Sequence, residues 1–132
     1  IKSVVYDDVP SCFDRLQNIE TKISIYSSGS RQAQQLLFKY SDHGDLRHFI
    51  NCYFDTQTAG QKRIEQSYKE ICLSLGVEKP EEILFVTDIY EEAVAAKAAG
   101  MGVVISSRQG NAPLPKEMNT DIFPVITSFD DL

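Results

Sequence analysis

No apolar run in this chain approaches the roughly 18 consecutive positions that a membrane-crossing helix needs. Its first residues show no basic segment leading into an apolar stretch, so they do not read as a signal peptide and the expectation is a soluble, cytoplasmic protein. Cysteine is scarce: Cys12, Cys52 and Cys72 are odd in number, widely spaced and without a CxxC pair. That pattern supports neither a disulfide framework nor a zinc site and fits a reducing compartment. Basic residues are the minority, 13 against 19 acidic ones, for a net charge of −6. A nucleic-acid surface, which needs clustered lysine and arginine, is excluded on that ground, although a small anion can still be held by local groups. Internal repeats, low-complexity tracts and linker-like Gly/Ser/Pro stretches are also missing, so one domain spanning residues 1–132 is expected. No GxGxxG follows a strand and no GxxxxGK[ST] occurs, which disfavours a nucleotide-binding domain.

What is present is enough apolar content, 42% of the 132 residues, to build a core, in segments of clear periodicity. Val9, Cys12, Phe13, Leu16 and Ile19 recur at helical spacing after Asp8, with Pro10 in the first turn. Lys22 to Tyr26 alternates like a strand and stops at the small-residue loop Ser27-Ser28-Gly29-Ser30. Ala33, Leu36, Leu37 and Tyr40 then form a helical stripe that Ser30 is suited to cap. Asp42, His43 and Gly44 read as a turn, and residues 46–54 hold room for a short helix and a short strand. A second stripe, Ile64, Tyr68, Ile71, Cys72 and Leu75, starts just after Lys62 and closes at Gly76, a natural left-handed cap. Ile83 to Thr87 is a continuous apolar run, as in a strand buried on both faces, and ends in Asp88. An Ala/Glu-rich helix over 91–99, a strand over 102–105, a Gly/Pro loop over 108–115 and an edge strand over 123–126 follow. Ser128 caps a last helical turn. The alternation predicts an α/β fold with a doubly wound parallel sheet, whose ligands bind beyond the carboxyl ends of the strands.

Three polar positions fall at those ends or helix starts in a suggestive order: a serine loop after one strand, a lysine at the head of a later helix, and an aspartate after a further strand. A phosphoryl group needs hydrogen-bond donors and positive charge, and a magnesium ion beside it needs hard carboxylate oxygens. Ser27 could donate its hydroxyl, with the amides of Ser28 and Gly29 pointing the same way. The same loop also fits a plain strand-to-helix turn with a serine cap. Lys62 could neutralise phosphate charge or be an ordinary surface lysine. Asp88 could hold a metal or cap the following helix. Glu92, one turn further on, could support that site or simply favour the helix dipole. His43 and His48 lack a third ligand at metal spacing, and Cys72, on an apolar stripe, reads as an inert buried thiol.

This order of motifs resembles the later motifs of the haloacid dehalogenase superfamily. The wording is more specific still: Tyr26-Ser27-Ser28-Gly29-Ser30, Ala33-Gln34-Gln35-Leu36-Leu37-Phe38, Tyr53-Phe54-Asp55-Thr56, Lys62 followed by Ser67-Tyr68, Ile83-Leu84-Phe85-Val86-Thr87-Asp88, Glu92-Ala93, Gly110-Asn111-Ala112 and Thr127-Ser128-Phe129 resemble the enolase-phosphatase family of methionine salvage. The resemblance implies a Rossmann-like core, magnesium as cofactor, and 2,3-diketo-5-methylthiopentyl 1-phosphate as a substrate that is enolised and then dephosphorylated. Carried over by position, Ser27, Ser28 and Lys62 bind substrate, Asp88 ligates the metal, and Gly29 and Glu92 support them. The family's nucleophile, an aspartate in an Asp-x-Glu-Gly-Thr motif on the first strand, does not occur in the chain, nor do the cap helices that follow it. Ile1 to Asp8 resembles the family's return from cap to core, so the chain is expected to begin after the nucleophile strand and cap. Asp7 and Asp8 precede a helix and cannot replace that nucleophile. Gln109, where the family usually has proline, and Tyr90-Glu91 depart from its pattern.

Two readings follow. One is a phosphoric monoester hydrolase of which this chain holds the phosphate- and metal-binding part, inactive alone. The other is an inactive fragment or splice product that keeps a phosphate-binding or partner-binding fold. Either way an unpaired sheet edge invites self-association.

Overall fold

A computed structural model of the protein describes residues 2–132; Ile1, the first residue of the stretch compared above with the return from cap to core, lies outside them. The described chain divides into two compact units, residues 2–58 with Leu132, and residues 59–131.

The first unit opens with helix α1 (Asp8–Asn18), followed by strand β1 (Ile23–Ser27), helix α2 (Arg31–Lys39), a 3₁₀ turn (Arg47–Phe49) and strand β2 (Ile50–Asp55). The strands run parallel, with an irregularity after Ile23 that shifts the register so that Ser24 faces Cys52 and Ser27 faces Asp55. Both carboxyl ends therefore finish level, with Ser27 beside Asp55. Val9, Cys12 and Phe13 of α1 are buried, as their spacing predicts, and Phe13 meets Phe49 edge-on at 6.0 Å. Ile19 falls outside that face: it is 70% exposed, because α1 ends at Asn18 and the chain turns through Glu20 in a left-handed conformation (φ 61°). The stripe on α2 is a second departure. Leu36, Leu37 and Tyr40 are exposed within this unit, and the buried residue of the helix is Gln34. Helical spacing reports which residues share a face but not whether anything covers it.

The second unit carries helix α3 (Glu65–Leu75), strand β3 (Leu84–Thr87), helix α4 (Tyr90–Ala98) and strands β4 (Gly102–Ser106) and β5 (Val125–Ile126), in the parallel order β3-β4-β5. Gly76 ends α3 at φ 71°, a left-handed cap that only glycine adopts without steric cost. Gly60 turns at φ 109°, and a Cβ there would collide with the buried Ser67. The core is built on Tyr68, Ile105, Ala93 and Ala96, with Tyr68 edge-on to Phe85 at 4.9 Å. Complete burial of a side chain such as Ile105 contributes about 1.5–3 kcal/mol. β3 departs from the expectation of burial on both faces, since Leu84 is 54% exposed and only Thr87 is fully covered. A short apolar run measures hydrophobicity, and neighbours across both faces are a tertiary matter.

The architecture is α/β, with parallel strands in both sheets and a helix between successive strands from β1 to β4, as in Rossmann-like folds. No helix among the described residues is long and apolar enough to cross a membrane.

Candidate active site

In the first unit the serine loop leaves β1 at Ser27. The Ser27 hydroxyl oxygen accepts from the Gly29 amide at 3.2 Å, so that amide turns back into the loop and not outward beside that of Ser28 as the sequence suggested. Short polar side chains compete for nearby amides in tight turns, which accounts for the difference. A hydroxyl that accepts such a bond keeps its own proton to donate. Capping falls to Ser30 alone, whose Oγ accepts from the Ala33 amide at 3.1 Å. Ser27 and the exposed Ser28 are thus not consumed by the cap.

Gln34, which sequence reasoning passed over, holds this loop in place. Its side-chain nitrogen donates to the Gly29 carbonyl and to the Phe54 carbonyl, both at 2.9 Å, tying the loop to β2 from a position only 4% exposed. An amide at a core-facing helical position was the available signal. Asp55, in register with Ser27, is also buried; its Oδ1 accepts from the amide and the hydroxyl of Thr58, both at 2.8 Å. The bond from the Thr58 hydroxyl, with that from its amide, holds the Asp55 carboxyl below the usual carboxylate range.

The second unit brings together Lys62, Thr87, Asp88 and Glu92. The Lys62 ammonium lies 3.2 Å from Glu92 Oε1, and the same oxygen accepts from the Thr87 hydroxyl at 2.7 Å. Glu92 and Thr87 are both buried, so the carboxylate side of this pair is shielded, while the Lys62 side chain is 26% exposed. Glu92 is therefore committed to Lys62, which the helix-dipole reading does not explain. The Thr87 oxygen in turn accepts from the Ile89 amide at 3.1 Å. At the other end of the lysine, the fully buried Tyr68 donates its hydroxyl to the Lys62 carbonyl. Asp88 stands directly after β3, half-buried, and does not cap α4: the cap position is Ile89, with no side-chain cap bond. Among the described residues its carboxylate has no hydrogen-bond or ion-pair partner.

An uncommitted carboxylate at a strand's carboxyl end suits magnesium, which binds through one or two carboxylates and takes its remaining ligands from waters and substrate phosphate. Such a site needs no closed cage, and no group of three or more metal-capable side chains occurs among the described residues. Other titratable groups lie elsewhere. His43 contacts Asp7 at 3.1 Å, the His48 ring lies tilted against Phe49 with centroids 4.1 Å apart, and burial pushes the Cys72 thiol up. A cavity of about 450 Å³ in the first unit, lined by Gln35, Asp45, Arg47, His48 and Tyr53, includes none of the residues expected to bind substrate or metal.

The description "haloacid dehalogenase-like hydrolase" matches residues 1–100. The whole chain is 54% identical to a probable bifunctional methylthioribulose-1-phosphate dehydratase/enolase-phosphatase E1 of Vitis vinifera and 51% identical to the Arabidopsis thaliana protein of the same description. It spans 25% of the length of each. Among solved structures, the UTR4 protein of Saccharomyces cerevisiae superposes on all of the chain with a TM-score of 0.86 at 36% identity, the chain covering 58% of it. A dehalogenase at 22% identity, matched over 97% of this chain and 54% of its own, gives 0.80 and shares the fold. From the parallel α/β architecture, the polar strand ends and these matches together, the chain belongs to the haloacid dehalogenase-like hydrolase family.

Proposed function

We propose that this chain forms the phosphate- and metal-binding part of a phosphoric monoester hydrolase of the enolase-phosphatase type. Its substrate on this reading is 2,3-diketo-5-methylthiopentyl 1-phosphate, in the cytoplasmic salvage of methionine. The observation that carries the reading is a half-buried lysine held by the buried Glu92, together with an uncommitted aspartate at a strand's carboxyl end. Names among the relatives, which span four times the length of this chain, support the choice of substrate class.

Ser27 donates its free hydroxyl proton to a phosphate oxygen, and Ser28 offers a second donor from the same loop. Lys62 places a fixed positive charge against the phosphoryl oxygens as the ester bond to phosphorus breaks. Asp88 would hold magnesium, which when bound neutralises phosphate charge and orients the group. None of the described carboxylates is assigned as the nucleophile, nor any side chain as the acid or base for enolisation. A second reading is a non-catalytic phosphate-binding piece.

Phosphate release from the diketo phosphate in magnesium buffer separates the two, measured on residues 1–132 and on the full natural polypeptide that carries them. Turnover by the full polypeptide but not by residues 1–132 is expected. Turnover by the short chain would overturn the assignment of the nucleophile outside it, and no turnover by either would leave the non-catalytic reading.

A further inference from the structure

We propose that Thr87 is a positioning residue for Lys62, acting through Glu92. The inference rests on the reading above, in which Lys62 contacts the substrate phosphate.

A lysine ammonium rides on a flexible four-carbon stem, and a single carboxylate partner on a helix does not by itself define where it stands. Here that carboxylate has been immobilised. Thr87 closes β3 and Glu92 lies in the first turn of α4, five positions on, so the strand-to-helix turn brings them face to face. Their contact of 2.7 Å falls at the short, charge-assisted end of the hydroxyl–carboxylate range. The direction of that bond is settled by the Ile89 amide, which donates to the Thr87 oxygen at 3.1 Å. With an acceptor site of the hydroxyl occupied by an amide, its one proton goes to Glu92. The β-branched side chain also has few rotamers open to it, so the hydroxyl is a stiff donor.

Lys62 is consequently gripped twice. The Tyr68 hydroxyl holds its backbone carbonyl, and the Thr87–Glu92 pair holds its ammonium. Thr87 touches neither phosphate nor metal on this account. Its effect is to fix the Glu92 oxygen on which the ammonium rests, directly beside Asp88 in the chain.

The test uses the full natural polypeptide, with Thr87→Val, Thr87→Ser and each in a Glu92→Gln background. Two readouts are taken: steady-state hydrolysis of the diketo phosphate, and the rate of Lys62 acylation by a mass-tagged anhydride in the absence of substrate. Thr87→Val should lower kcat about tenfold with KM changed less than about threefold, as for a group misplaced only when charge develops. It should also speed Lys62 acylation by about threefold or more, as the ammonium loses its fixed partner. Thr87→Ser should restore both, and in the Glu92→Gln background Thr87→Val should add little, because the two residues act as one unit. If the valine variant does not fold, Thr87→Ala removes the same hydroxyl. A folded variant without the hydroxyl whose Lys62 acylation and kinetics match the unsubstituted protein overturns the proposal. An unsubstituted protein without turnover overturns the phosphatase reading instead, and the acylation arm, which needs no turnover, still decides the role of Thr87.

Discussion

At the scale of single residues, the informative feature of this chain is which polar groups are already spoken for. Ser30 caps α2, Gly29 donates to Ser27, and Glu92 serves Lys62 and Thr87. Asp88 is left over. A half-buried carboxylate with no partner contributes little to folding, so Asp88→Asn should change unfolding free energy by less than about 0.5 kcal/mol. The same substitution should weaken magnesium binding on the order of 10–100-fold, read by calorimetric titration of the full natural polypeptide. An unchanged titration would remove Asp88 from the metal site. The residue types at Ser27, Lys62 and Asp88 were legible from the linear order of motifs. Gln34 and Thr87 were not, because a polar side chain in an apolar stretch announces burial only once its partners, the carbonyls of Gly29 and Phe54 and the carboxylate of Glu92, are brought within 3 Å by the fold.

Among the elements, helices α1 and α3 lie close to where periodicity puts them, and the left-handed cap at Gly76 falls at its predicted position. The segment over residues 41–58 was ambiguous as sequence and resolves into a turn, the 3₁₀ turn and β2. It resolves because β2 pairs with β1, a partner remote in the chain. The end of β2 carries a pH-dependent fastening. The Asp55 carboxyl is depressed in the folded state by the hydroxyl and amide of Thr58. A depressed carboxyl contributes stability that is present above its unfolded value, about 3.9, and is lost as pH falls through the lower folded value. Denaturant unfolding followed from about pH 6 downwards should therefore show stability falling below about pH 4, and Asp55→Asn should flatten that slope. Parallel acid slopes in the two proteins would mean that Asp55 is not among the groups responsible.

For the molecule as a whole, each sheet keeps an edge without a strand. Among the described residues β1 pairs only with β2, and β3 pairs on one side only, with β4. Leu84 of β3 is 54% exposed, and Leu36, Leu37 and Tyr40 add an open apolar stripe on α2. Unpaired edges and uncovered apolar faces both favour association. Residues 1–132 are accordingly expected to self-associate as concentration rises, and sedimentation velocity over a concentration series would show this as an increasing weight-average coefficient. A strictly monomeric species throughout would show that these edges are protected.

By itself the sequence determined the alternation of elements, the α/β class and the polar residue types at the strand ends, since periodicity, turn chemistry and the spacing of polar strand ends are local properties. Only the tertiary structure decided which stripes are covered, which amide the Ser27 hydroxyl takes, and that Glu92 joins Thr87 to Lys62. Those outcomes depend on distances between residues far apart in the chain or turned towards each other by a loop, and such distances exist only once the backbone has folded.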